Sequence, residues 1–256
     1  MAYEVINIGA APNDGTGDTI RNSFDKVNNN NEFLFKQTGW ASYVDTQKTV
    51  GTPLALVAGV DTALRVRANT VIDSQLPVDI KTFYVSGRLI VTSVTGTFVE
   101  GETLTGGTSG ATAVIKEIYL ATEFGLVNYI GNFTGTETIT GGTSGATASF
   151  SSLSDGYVTG RNGDNIDIML YFKVLPSAIN SEIDVWINIG GAVGELYRQT
   201  IYFRGATEKG AMYTIPSGYT LGTWEANGGV IYLKSSVNMN IYGVNLNLDR
   251  SHKSRL

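Results

Sequence analysis

Residues 166–174 read IDIMLYFKV, with Ile166, Ile168, Leu170, Phe172 and Val174 on one phase and Asp167, Met169, Tyr171 and Lys173 between them. An apolar row of period two marks a strand with one face on a core and the other toward solvent. Ile183, Val185, Ile187 and Ile189 repeat the pattern, leaving Asp184, Trp186 and Asn188 on the far side. Further strands are expected at 196–203, 211–215, 220–225 and 230–234. In the last stretch Val237, Met239 and Ile241 hold one phase, and Val244, Leu246 and Leu248 hold the opposite one. That slip at Tyr242-Gly243 predicts a β-bulge. Strands at this density, separated by short turns, predict an antiparallel β-sandwich.

Upstream, residues 54–60 read as a buried strand between Pro53 and Gly59. Leu64, Val66 and Ala68 alternate with Arg65 and Arg67, the pattern of a half-exposed strand. Pro77 interrupts the chain before runs at 80–85 and 89–94. These segments are too short for a core of their own. The expected arrangement is therefore one sandwich built from 41–93 plus 153–256.

Between the two parts lies an internal repeat. Thr105–Ala113, TGGTSGATA, recurs unchanged as Thr140–Ala148. The likeness extends upstream, where Glu102-Thr103-Leu104 matches Glu137-Thr138-Ile139, and Gly96 and Phe98 match Gly131 and Phe133. Each unit reads as strand, glycine turn, strand, with a thin row of alanines as its apolar face. Such a face cannot close a core alone, so 94–152 is expected to be an insert in which the copies meet each other or a neighbouring subunit. The Gly-Gly-Thr-Ser-Gly turns carry no acidic residue, which argues against a calcium-binding repeat. Hairpin turns explain them best, with carbohydrate contact through Thr108 and Thr143 as the lesser reading.

The first forty residues differ. A short strand at Val5–Ile8 is expected to lead through a turn-dense loop into a helix, with Asp18 placed to cap it. Ile20, Phe24, Val27, Asn31 and Leu34 then recur at spacings of four, three, four and three. That is an a/d seam, too short to be stable alone in water, so tertiary or intersubunit packing must support it. Gly39 is placed to end the helix.

The residues Asn7-Ile8-Gly9, Asp14-Gly15-Thr16-Gly17-Asp18, Arg21 and Lys26-Val27-Asn28 resemble the N-terminal segment of tailed-bacteriophage structural proteins. The baseplate wedge subunit of contractile-tailed phages, and many fibre-like appendage proteins, open with a similar segment. The resemblance implies a trimerising anchor that docks on other virion proteins, with Asn7, Gly9, Asp14, Gly15, Gly17, Asp18 and Arg21 in the docking module. The family usually has an aromatic where this chain has Asn31. A lone Asn in such a seam can fix register, or the helix can have frayed before it; both readings stand. Tyr43–Gln47, Asp73–Pro77, Ile189-Gly190-Gly191 and Arg250–Lys253 are similar to a jelly-roll-type module of phage virion proteins. The fold expected is thus mainly β: a short N-terminal helical anchor at 1–40, a jelly-roll-like antiparallel sandwich, and an inserted hairpin repeat pair.

Composition narrows the function. Glycine makes up 31 of 256 residues and charged residues 16 %, against usual shares of about 7 % and about 25 %. Low charge suggests surface covered by neighbours. A net charge of −5 gives no basic footprint for nucleic acid or an anionic membrane. The chain has no cysteine, which removes disulfides and thiolate chemistry. Its N-terminus lacks a basic segment followed by an apolar core, so no signal peptide is expected and synthesis is placed in a host cytoplasm. His252 is the only histidine, so neither a Ser-His-Asp triad nor a histidine metal site is expected. The Asn13–Asp18 loop lacks the third acidic ligand and closing Glu of a calcium loop. The pairs Asp164/Asp167 and Glu182/Asp184 could serve glycoside hydrolysis, but outward acidic residues on strands are usually solvated. No enzyme and no cofactor are expected. Tyr171, Trp186, Tyr197 and Tyr202 are expected on or near the outer phase, for a subunit interface or, second, a host glycan. The function expected is a trimeric fibre or appendage subunit of a virion.

Overall fold

The computed structural model describes residues 4–10, 15–35, 38–75 and 81–251; of 32–35 and 68–75 only the backbone is described. Helix α1 (Ile20–Phe35) is followed by β1 (Thr38–Asp45), β2 (Leu54–Leu56), β3 (Thr62–Ala63), β4 (Ala68–Gln75) and β5 (Tyr84–Val85). Next come β6 (Gly87–Thr95), β7 (Thr103–Gly106), β8 (Thr112–Leu120), β9 (Glu123–Ile130), β10 (Thr138–Gly141) and β11 (Thr147–Leu153). The rest comprises β12 (Tyr157–Val158), β13 (Asn165–Pro176), β14 (Ser181–Asn188), β15 (Glu195–Phe203) and β16 (Lys209–Tyr219). Helix α2 (Gly222–Asn227), β17 (Val230–Ser235) and β18 (Met239–Ser251) complete it.

The protein is mainly β and antiparallel, as the alternation predicts. One sheet runs β16-β13-β18-β1-β4, with β2 also on β18; the other runs β15-β14-β17-β3. From β13 onward the chain passes repeatedly between the two sheets, a jelly-roll-like winding. The inward rows of β13, β18 and β1 meet those of β14 and β17 in one core that includes Phe172, Leu246, Tyr43, Val185 and Leu233. In β13 burial alternates residue by residue over most of its length, as its sequence requires. The bulge falls where the phase slips. Tyr171 pairs with Asn245 and Lys173 with Tyr242, so Phe172 faces two residues, Gly243 and Val244. Gly243 takes φ +59°, and its N–H donates to the Lys48 carbonyl at 3.0 Å.

Several expectations are corrected. Strand β2 stops at Leu56, and Val57 and Val60 are exposed. Residues 64–67 are not a strand, although Leu64 and Val66 are buried and Arg65 and Arg67 lie outside them as the alternation suggests. Gly39 sits inside β1, opposite Arg250, and is not a helix cap. Residues 4–8 form no strand. Instead of a strand at 220–225 there is α2, which lets Trp224 bury completely and donate its indole N–H to the Val158 carbonyl at 2.9 Å.

The repeats form a closed barrel, ordered β10-β11-β6-β9-β8-β7. Strand β6 belongs to it, so this unit begins at Gly87, earlier than the expected residue 94. Its alanines are supplemented by Phe98, Phe124, Leu126, Tyr129 and Phe133, which fill the interior. The two copies pair through β7 and β10 and exchange glutamates. Glu137 accepts from the Thr108 and Ser109 amides, at 3.0 and 2.8 Å, in the turn of the other copy, and from its own Thr134 amide at 2.6 Å. Glu102 mirrors it with Thr143 and Ser144, at 3.2 and 3.0 Å, and Val99 at 2.7 Å. The hydroxyls of Ser109 and Ser144 add one donor each. The repeated glycines follow from this clasp. A Cβ on Gly106 would lie 2.6 Å from the Glu137 carboxylate, and one on Gly141 would lie 2.5 Å from that of Glu102.

Burial works against charge on Glu137, but the bonds from Ser109, Thr134 and Thr108 prevail and hold its carboxyl down at about 2. Glu102 is lowered the same way, burial opposed by Ser144, Val99 and Thr143. A depressed folded pKa stabilises above the ordinary glutamate value of 4.5, and that contribution is lost as pH falls from there toward 2. Glu137→Ala is expected to lower Tm by roughly 5 °C or more at pH 7, since several charge-assisted bonds are lost. Circular-dichroism melts between pH 7 and pH 2 should show the wild-type advantage shrinking as the pH falls.

Candidate functional site

The N-terminal residues form a small polar knot. Asp18 accepts from the Asn7 amide at 2.7 Å, and its own amide donates to the Asn7 carbonyl at 2.7 Å. The Asn7 side chain donates to the Thr16 carbonyl at 2.8 Å and accepts from the Gly9 amide at 3.0 Å. A Cβ on Gly17 would stand 3.0 Å from Gly9 N and Ile8 C, so the two limbs of the loop touch backbone to backbone. Asp18 is therefore a clamp and not the helix cap. The cap is Thr19, whose hydroxyl accepts from the Asn22 amide at 3.2 Å. Asp14 lies outside the described residues. Arg21 is exposed at the start of α1.

Residues 4–9 lie back along α1. Lys26 Nζ bridges the Asp18 carboxylate at 2.7 Å and the Val5 carbonyl at 2.9 Å. The Asn30 amide binds both backbone groups of Glu4 at 2.8 Å, imitating a strand partner. This strap covers the helix face bearing Ser23, Lys26, Asn29 and Asn30, which are half-buried. The predicted seam lies one step round the helix and is uncovered, with Ile20 78 %, Phe24 63 % and Val27 38 % exposed. Asn31 is exposed too, while the Leu34 side chain lies outside the described residues. Val5 and Ile8, at 71 % and 90 %, add to the same apolar module.

The four aromatics separate. Trp186 is buried, against expectation, because Tyr232 stacks on it at 5.7 Å and the Arg198 guanidinium lies over it at 4.1 Å. Tyr171 and Tyr197 are each 40 % exposed and Tyr202 is 74 % exposed. Tyr171 lies on β13 in the first sheet, whereas Tyr197 and Tyr202 lie on β15 in the second. On the outer face of the first sheet, Trp40, Met169 and Met212 are also exposed. The outward phase of Met169 was legible in its strand; Trp40 follows Gly39, where the helix was expected to end and no strand was read.

The candidate carboxylates do not converge. Asp164 is buried, 4.0 Å from the buried Arg250 and 3.7 Å from Arg161. Asp167 lies on the outer face opposite Asp249, and Asp249 is raised by burial and by Asp167. Asp184 pairs with Arg198 at 2.7 Å and accepts from Thr200 at 2.6 Å. Glu182 sits two residues away on β14, opposite Tyr202. Among the described residues no group of three or more His, Cys, Asp or Glu could hold a metal ion, and no helix is long and apolar enough to cross a membrane. His252 lies outside the described residues.

No protein-family model and no curated protein matches this chain. One solved structure aligned with it, described as the structure of infectious bursal disease virus Gx strain, is 10 % identical over 83 % of this chain and 71 % of that one, with a TM-score of 0.21. A likeness at that level carries no argument about function.

Lys26, through its hydrogen bond, and then the Asn7 amide lower the Asp18 carboxyl below its ordinary 3.8. The clamp is thus intact above that pH and loosens as the pH falls below it. Asp18→Ala is expected to speed exchange of the Asn7 amide hydrogen at least about tenfold while leaving the Tm of the sandwich unchanged. Hydrogen exchange followed by NMR, beside a thermal melt, checks both.

Proposed function

We propose that the chain is a structural subunit of a tailed-phage virion, a homotrimeric fibre or appendage protein that docks through its N-terminal module onto the baseplate, neck or tail. The observation that carries the reading is the uncovered stripe of Ile20, Phe24 and Val27 on a helix whose adjacent face, among the described residues, is held by polar bonds. The strap does not consume the apolar side chains, and a helix of 16 residues is marginal without packing. Burial of each such side chain between chains would contribute about 1.5–3 kcal/mol. The number three and the identity of the particle come from the sequence resemblance. The knot of Asn7, Gly9, Gly17 and Asp18 is then the part offered to the receiving virion protein. This reading assigns no catalysis to the chain and requires no cofactor, nucleic acid or membrane. Recognition of a host glycan by the four aromatics is less favoured, because Trp186 is buried and the tyrosines divide between two sheets.

Light scattering on the purified chain is expected to give three times its 27.4 kDa mass. Phe24→Asp combined with Val27→Asp should give monomers with an unchanged β spectrum. Deletion of residues 1–37 should leave the sandwich folded but missing from particles. A monomeric wild type, or normal incorporation of the truncated chain, overturns the proposal.

A further inference from the structure

Where the barrel meets the sandwich there is an open cleft of about 730 Å³, whose lining includes Lys48, Arg65, Arg67, Thr49, Thr52 and Asn132. The three cations are not evenly neutralised. Lys48 donates to Asp45 at 2.6 Å, and that carboxylate is wholly buried. Arg65 donates to the Ser154 carbonyl at 2.6 Å and reaches Asp155, about half exposed, only at 3.4 Å. Arg67 has neutral partners for its guanidinium: the Gly131 carbonyl at 2.9 Å, the Asn132 side chain at 2.5 Å and the Tyr129 ring at 4.8 Å. Asp155 also lines the cleft, so with Asp45 two carboxylates stand against the three cations, a surplus of one positive charge facing an open space in a chain of net charge −5. Burial lowers the pKa of both Lys48 and Arg67; Asp45 acts to raise both, while repulsion from Arg65 lowers both. An anion entering the cleft would relieve that mutual repulsion.

The neutral part of the lining indicates what kind of anion. Thr46, Thr49 and Thr52 bring hydroxyls, and Gln47 and Asn132 bring amides. Such groups suit a ligand with many hydroxyls. Among the described residues the lining contains no aromatic side chain on which a nucleobase could stack. Its volume lies within the range of small-molecule sites, about 300–1,000 Å³, and far exceeds the space an inorganic ion needs. We propose that this cleft binds an anionic saccharide, its carboxylate or phosphate paired with Arg67 and Arg65 and its hydroxyls met by Thr49, Thr52 and Asn132. The site goes beyond the assembly role and does not depend on it.

Calorimetric titration of the full chain tests the site with four probes: an oligogalacturonate, a glycerol-phosphate oligomer, a neutral maltooligosaccharide and inorganic phosphate. Saturable binding of at least one charged oligomer, about tenfold or more tighter than inorganic phosphate and weakened by added salt, is the expected result. The neutral oligomer should not bind. Whichever charged oligomer binds identifies the source of the anionic group, uronate or phosphate. Asn132→Asp sets a carboxylate where Arg67 already donates, so it keeps the joint between barrel and sandwich while cancelling the surplus charge. This variant should melt no lower than wild type and bind the charged oligomer at least about tenfold more weakly. Arg67→Gln should weaken binding similarly. Failure of both charged oligomers to bind overturns the proposal, as does binding indifferent to Asn132→Asp in folded protein, or an affinity for inorganic phosphate equal to that for the oligomers. None of these results bears on subunit number, which the light-scattering mass decides separately.

Discussion

The pairing of β13 with β18 is the contact on which the sandwich depends. It runs from Asn165 opposite Ser251 to Pro176 opposite Met239, and each strand also holds a second neighbour, β16 on one side and β1 on the other. Its inward residues, Ile166 to Val174 and Ile241 to Leu248, form much of the floor on which the second sheet rests. A slip of one residue would turn an entire row toward water. The bulge at Gly243-Val244 prevents that: the extra residue lets Ile241 and Val244 both face inward although three positions separate them. Gly243 adopts the left-handed backbone this requires at little steric cost.

The barrel solves a different problem, a core built from two short units with alanine faces. Aromatic residues of β9 and the connecting loops fill the space the alanines leave. The crossed glutamates then tie each glycine turn to the other copy, so the units are interdependent where tandem repeats are usually only adjacent. Barrel and sandwich are joined by polar contacts. Gln47 reaches the Tyr129 carbonyl at 2.5 Å, Arg67 the Gly131 carbonyl, and the hydroxyls of Tyr119 and Tyr157 meet at 2.8 Å. An open cleft lies at this joint.

Much of this architecture was legible from periodicity. The rows of β13, β14 and β18, the bulge and the repeat turns all follow from local sequence, because a half-buried strand writes its burial into every second residue. Ends and exceptions were harder. Residues 220–225 were expected as a strand, yet Leu221 and Trp224 stand three apart as in a helix, and α2 gives Trp224 both complete burial and a bond to Val158, a partner far away in sequence. Asp18 looked like a cap because it precedes the helix, and nothing local shows that Asn7 and Lys26 claim it. The roles of Glu102 and Glu137 were hidden for the same reason: their partners lie about thirty to forty residues away. In α1 the apolar spacing of Ile20, Phe24 and Val27 was readable, and these side chains are exposed. Trp186 was misjudged because outward phase does not mean exposure when a neighbouring Tyr and Arg cover the ring. Arg65 and Arg67 were seen as an outward row, but their convergence with Lys48 needed the fold.

The position of β18 has a consequence for how the protein is made. This strand lies between β13 and β1, near the middle of the larger sheet, yet a ribosome synthesises it after every strand it pairs with. Until it emerges, β1 and β13 lack a common neighbour, β2 has no partner strand, and the sheet is three pieces with open edges. Residues 87–153 hold all six strands of the barrel and can close well before that point, as units do during translation. A growing chain therefore carries one finished body beside an incomplete one, and the last stretch enters as a wedge that closes the gap.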